Sequence, residues 1–362
     1  MITKPAMHNT DSTKATARGL LQRLADGPVV CAEGYVFEFE RRGYLQAGAF
    51  VPEVVLEHPE VVKQLHREFV RAGSDVIEAF TYYGHREKLR LIGKEDLLEP
   101  LNRQALDLAH AVATEPPGER PLVAGNVCNT NVYHPDASAD AAVMAMFEEQ
   151  IGWAAESGVD FVIAETFIHL GEARLALKAI KRAGLTSVVT LALPATGRLA
   201  DGFDAADACA ALEQDGADVV GLNCYRGPDT ILQPAAEIRS RVSCHVAALP
   251  VPYRTTAEHP TFLSFREPPS DLLPEGRPFP TALDPYLCNR YEMGRFAREA
   301  EALGIRYLGL CCGNVAGHTR SLAEALGRRP EASRYSPDMS KHFAFGTDST
   351  LDREGARLAQ RL

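Results

Sequence analysis

A chain of 362 residues can fill one large domain or two ordinary ones, and 46% hydrophobic with 24% charged residues is the balance of a globular protein. A formal net charge of −10 argues against nucleic acid, whose binding depends on basic patches that neutralise phosphates, and no run of 18 apolar residues is present to span a membrane. Eight cysteines behind a polar N-terminus with no secretory core fit the reducing cytoplasm better than a disulfide framework.

Residues 1–18 read as a flexible lead-in. Helix and strand signals then alternate. A short helix over 19–25 precedes the apolar strand Val29-Val30-Cys31-Ala32, which ends at Glu33-Gly34. Residues 59–72 place Val61, Val62, Leu65, Phe69 and Val70 on one side of a helix. A second strand, 75–80, runs into Thr81-Tyr82-Tyr83. Helices across 94–113 lead to a third strand over 121–126. Further helices are expected over 141–157, 171–183, 205–215, 230–240 and 291–303. Strands are expected over 160–165, 187–193, 217–224, 244–249 and 305–310.

Eight short, uniformly apolar strands between helices imply parallel strands buried on both faces. Eight such units in about 300 residues predict a closed (β/α)8 TIM barrel, with a doubly wound sheet as runner-up. A barrel carries its active site at the C-terminal ends of the strands. Glu33, Tyr82, Tyr83, Asn126, Glu165, Cys224, Cys311 and Cys312 all fall at such ends. The barrel is expected over 19–327. It carries a long loop over 249–285 with nine prolines, which reads equally as a lid or a surface excursion. Residues 328–362 form a C-terminal extension with a helix-like end over 353–362.

Two cysteine-bearing stretches stand out, Gly221-Leu222-Asn223-Cys224 and Gly309-Leu310-Cys311-Cys312-Gly313-Asn314. Three thiols from two strand ends can make a corner for one zinc ion, with a fourth position open to substrate. Strand alternation turns Cys311 and Cys312 to opposite faces, so a turn at Gly313 is required to bring both sulfurs to one ion. Two buried free thiols or a vicinal disulfide are the alternatives. His318 reads as support near a helix start, and His169 and His245 as structural.

These stretches match a known pattern. The sequence resembles the zinc-dependent homocysteine S-methyltransferases over about residues 19–341. The cysteine motifs are like that family's G-x-N-C and G-G-C-C-G. Resemblance to its betaine branch rests on Gly34-Tyr35-Val36-Phe37, Glu57-His58-Pro59, Phe80-Thr81-Tyr82-Tyr83, Ile163-Ala164-Glu165-Thr166-Phe167 and Pro337-Asp338-Met339-Ser340-Lys341. The resemblance implies zinc on Cys224, Cys311 and Cys312, and homocysteine held by Glu33, Gly34 and Glu165. It implies a cationic methyl donor against Phe50, Tyr82 and Tyr83, and methionine as the product. The sequence departs from the branch at Glu33 (usually Asp), Phe50 (Trp), Glu78 (an amide), Thr166 (Tyr) and Leu310 (Gly). The resemblance implies glycine betaine as donor, and these departures make S-methylmethionine, dimethylsulfoniopropionate or another betaine the alternatives. The branch assembles through a long C-terminal arm, little of which is seen here, so a homo-oligomer is expected without a set subunit number.

Overall fold

The computed structural model describes residues 18–351 together with 355, 357, 358, 360 and 361. The expected lead-in lies outside these residues except for Arg18, and the expected terminal helix lies largely outside them. Eight parallel strands close into a barrel in sequence order: β1 Val29–Ala32, β2 Val76–Glu78, β3 Leu122–Cys128, β4 Phe161–Phe167, β5 Ser187–Leu191, β6 Val219–Asn223, β7 His245–Leu249 and β8 Tyr307–Leu310. Closure is made by β1 against β8, with Val29 opposite Tyr307 and Ala32 opposite Leu310. Every strand residue except His245 is buried, as expected for a sheet covered on the outside and filled within.

Alternation along the strands divides the core into two. One cluster, including Cys31, Val76, Ala124, Ile163 and Tyr307, fills the barrel interior. The other lies between the strands and the surrounding helices. The helices expected between residues 19 and 303 are all present: α1 Leu20–Asp26, α4 Pro59–Ala72, α6 Leu98–Ala113, α7 Asp140–Ser157, α8 Leu170–Arg182, α9 Ala205–Gln214, α10 Pro228–Arg241 and α11 Arg290–Ala302. In α4, Pro59 opens the helix and Val62, Leu65, His66, Phe69 and Ala72 form the buried stripe. Each fully buried leucine or phenylalanine there contributes about 1.5–3 kcal/mol.

Four helices escaped the periodicity: α2 Tyr35–Arg41, α3 Val54–Glu57, α5 Arg86–Leu91 and α12 Ala316–Ala325. The reason is physical. In α2, buried Tyr35, Val36, Phe37 and Phe39 are interleaved with charged Glu38 and Glu40 over only seven residues, a run too short to show a helical period. The α12 segment begins Ala-Gly-His-Thr, and glycine and threonine are weak helix formers. The strand expected over 75–80 ends at Glu78, which leaves Tyr82 and Tyr83 in the loop that follows. The loop over 249–285 folds back on the barrel mouth, where Phe265 stacks on Tyr286 at 4.2 Å between centroids.

Candidate metal centre and active site

Above the apolar filling of the barrel, the next inward position on each of six strands is polar: Glu33, Glu78, Asn126, Glu165, Asn223 and Cys311. All six are buried. Glu165 is the hub. Asn126 Nδ2 donates to its Oε1 at 2.7 Å and also to Glu78 Oε1. Asn223 Nδ2 donates to Glu165 Oε2, as does the Thr166 hydroxyl at 3.1 Å. Asn223 is itself held, because Thr166 N donates to its Oδ1 at 3.0 Å.

Glu33 differs from Glu165. It is 2% exposed and neither carboxylate oxygen has a hydrogen-bond partner. Burial, and after it the charge of Glu165, pushes the Glu33 carboxyl well above the usual carboxylate range. Glu78 is raised by the same two causes, and burial raises Glu165. Glu33, Gly34, Glu78 and Glu165 line one small gap with Cys311 and Cys312. Gly34 has φ +98°, and a Cβ there would lie 2.6 Å from the carbonyl oxygen of Cys311. Only glycine fits that backbone and that approach.

Three sulfurs converge beside this gap. Cys312 Sγ stands 3.8 Å from Cys224 Sγ and 3.9 Å from Cys311 Sγ, and all three atoms lie within 4.8 Å of one another. Cys311 faces inward by strand phase. Cys224 and Cys312 are each one residue out of phase, and the backbone corrects both. Cys224 takes φ +55°, and Cys312 enters a turn with Gly313 at φ +93°. A Cβ on Gly313 would lie 2.3 Å from Tyr253 Oη, so no other residue fits this turn without displacing that ring. All eight cysteines are free thiols, and the vicinal disulfide is not formed. Three soft ligands in this spacing suit a single metal ion. His318 is not among them; its Nε2 faces the Cys288 carbonyl at 2.9 Å.

On the other side of Cys224 and Cys312 opens a cavity of about 340 Å³. Phe50, Tyr82 and Tyr83 line it, as the resemblance implied, with Tyr82 and Tyr83 at 4.5 Å between centroids. Periodicity did not single out Phe37, Tyr225, Phe262 or Phe279, which complete the wall. Phe262 and Phe279 come from the proline-rich loop, where no repeat signals orientation. Burial pushes the Tyr225 phenol up to about 12. Of seven non-glycine residues at positive φ among those described, six line this cavity: Phe50, Tyr83, Asn131, Thr166, Cys224 and Tyr225. Backbone held in so sparse a region collects where surrounding structure over-determines it, and functional sites are the commonest such place.

The homocysteine S-methyltransferase family profile matches residues 34–326. Betaine–homocysteine S-methyltransferase 1 of Xenopus tropicalis is 37% identical over 341 residues, covering 91% of this chain and 80% of that one. S-methylmethionine–homocysteine S-methyltransferase BHMT2 of Pongo abelii is 35% identical over 343 residues, covering 92% and 87%. The metallated homocysteine methyltransferase MmuM of Escherichia coli superposes with a TM-score of 0.66 at 17% identity, over 83% of this chain and 98% of that one, a likeness of fold. The chain belongs to the homocysteine S-methyltransferase family and is an S-methyltransferase.

Proposed function

We propose that this protein moves a methyl group from a cationic onium donor to the thiol of homocysteine, giving methionine, with zinc on Cys224, Cys311 and Cys312. The sulfur spacing carries the reading. Zinc–sulfur bonds of about 2.3 Å in a tetrahedron set sulfurs about 3.8 Å apart; Cys312 Sγ stands 3.8 and 3.9 Å from the other two, and all three lie within 4.8 Å of one another. Three protein ligands leave one position for a substrate, the pattern of catalytic zinc. When bound, zinc supplies the deprotonation of an acceptor thiol whose ordinary pKa is about 8.5.

The chain does the rest. Glu33 and Glu165 take the acceptor's ammonium, which gives the unpartnered Glu33 oxygens their missing cation. Asn126 and Asn223 keep Glu165 aimed, and Gly34 gives the acceptor room at the backbone. The aromatic cavity takes the onium group, each ring face being worth about 0.5–2 kcal/mol. The small gap and the cavity share Val36, Tyr82 and Cys312, so acceptor sulfur and methyl carbon meet at that junction. The sulfur forms a bond to the methyl carbon as the onium atom leaves with the bonding pair. No protein base is needed, and orientation supplies much of the rate.

Glycine betaine is the first donor to test. S-methylmethionine is the second, being the donor in the name of the Pongo abelii relative that is 35% identical. Eight free thiols support a cytoplasmic setting. The deciding experiment offers homocysteine with glycine betaine, S-methylmethionine and dimethylsulfoniopropionate to zinc-loaded protein and follows methionine. Methionine from at least one donor is expected; none, at full metal occupancy, overturns the proposal.

A further inference from the structure

The cavity has no lysine or arginine among its lining residues. Its basic side chain is His169, set against the Tyr133 ring at 5.2 Å, and its carboxylate is Glu172. Glu172 Oε1 accepts from Thr130 N at 2.7 Å and from the Thr130 hydroxyl at 2.6 Å. Donors such as glycine betaine carry a carboxylate a few bonds from the onium atom. Within the cavity that carboxylate meets no strong cation.

One stands a ring's thickness away. Lys88, on α5, places its Nζ 3.9 Å from the centroid of Tyr83, a cavity-lining ring. It makes no ion pair among the described residues. The neighbouring Glu87 and Glu149 are committed to Arg90 and Arg86. We propose that Lys88 receives the carboxylate of the methyl donor and thereby selects zwitterionic onium compounds over plain onium cations. The inference rests on the transfer reading above and names the class of donor within it.

Three physical points support it. First, the Lys88 ammonium is half withdrawn from water, and burial lowers its pKa, so an arriving anion restores what desolvation removed. Second, its four-carbon stem is flexible enough to swing the ammonium past the edge of Tyr83. Third, the sign of the electrostatics changes with the donor. A plain cation against Tyr83 shares the ring's electrons with Lys88 and is repelled by it, whereas a zwitterion offers Lys88 a counter-charge. Glu172, in the first turn of α8, also lines the cavity and offers the donor's carboxylate no counter-charge.

The test compares paired probes on zinc-loaded protein by calorimetry: glycine betaine against tetramethylammonium, and S-methylmethionine against trimethylsulfonium. Lys88→Met is expected to weaken the carboxylate-bearing member of each pair by about tenfold or more, and to leave the plain cation unchanged or tighter. Lys88→Arg is expected to recover part of the loss. Equal weakening of both members would reduce Lys88 to packing on Tyr83, and tightening of both would make it only a competing cation; either overturns the inference while leaving the transfer reading intact. Wild-type protein that binds none of the four, and methylates homocysteine with no donor, overturns both.

Discussion

The three cysteines reach one point by different routes, and that difference predicts how each behaves. Cys311 follows strand alternation, whereas Cys224 depends on its own left-handed backbone and Cys312 on the turn at Gly313. Substituting any one removes a sulfur from a corner whose three atoms lie within 4.8 Å of one another. Cys224→Ala and Cys312→Ala are expected to lose zinc on dialysis against a chelator, by more than the roughly 10- to 100-fold that even an outer partner of a metal ligand costs. Cys209→Ala, altering a buried thiol behind β6, should retain the metal. Zinc content after dialysis decides, and retention by Cys224→Ala would remove it from the corner. At Glu165 the expectation concerns substrate: Glu165→Gln keeps the size of the side chain but removes the charge facing the acceptor's ammonium. Its KM for homocysteine should rise about tenfold or more with bound zinc unchanged. The phase conflict at Cys311-Cys312 and its release by Gly313 were legible in the sequence. The left-handed backbone at Cys224 was not, because residue type marks such a conformation for glycine and only weakly for anything else.

Elements differ in how plainly they were written. The strands were readable because a barrel buries both faces and so demands unbroken apolar runs, such as Val29 to Ala32. The helix α2 was hidden for a different reason: seven residues are too few to establish a helical period, and Phe37-Glu38-Phe39-Glu40 alternates as a strand would. Its placement nevertheless governs the site, since Val36 and Phe37 at its start line the aromatic cavity. Gly34 is the joint, where the chain leaves β1 and turns into α2 at φ +98° beside the Cys311 carbonyl. Gly34→Ala therefore forces a Cβ into a 2.6 Å contact and a left-handed backbone costing a non-glycine residue about 1–2 kcal/mol. The expected outcome is a lower unfolding midpoint and weaker zinc binding together, because the strained joint presses on the strand end carrying Cys311. A variant that melts like wild type would show that the joint is softer than this geometry implies. The proline-rich loop was readable as an excursion, but its inward-facing Phe262 and Phe279 were not, since no repeat fixes orientation in such a segment.

At the scale of the whole molecule, buried titratable groups of opposite tendency set the response to acid. His66, in α4, is buried, pairs through Nδ1 with Tyr35 Oη at 3.0 Å, and leaves Nε2 without a partner. Burial lowers its pKa to about 3, and burial lowers that of His85 to about 4. In the unfolded chain a histidine titrates near 6.5. Between about 6.5 and 3 the unfolded chain therefore binds protons that the native His66 refuses, and stability falls as pH falls through that window. At pH 5 each such group has cost about 2 kcal/mol. Glu33, Glu78 and Glu165 act in the opposite sense: their raised pKa values make the native state bind protons first, so acid relieves them. A simple acid titration of the wild type mixes both contributions. Comparison with His66→Gln separates them, because the three glutamates and His85 are common to both proteins and cancel in the difference. Gln keeps a polar group for Tyr35 but cannot titrate. Between pH 7.5 and pH 5 the wild type should lose about 2 kcal/mol relative to His66→Gln by urea unfolding, whatever the absolute stabilities. Parallel curves would mean that His66 takes up its proton in the native state, and that α4 opens around it before the barrel unfolds.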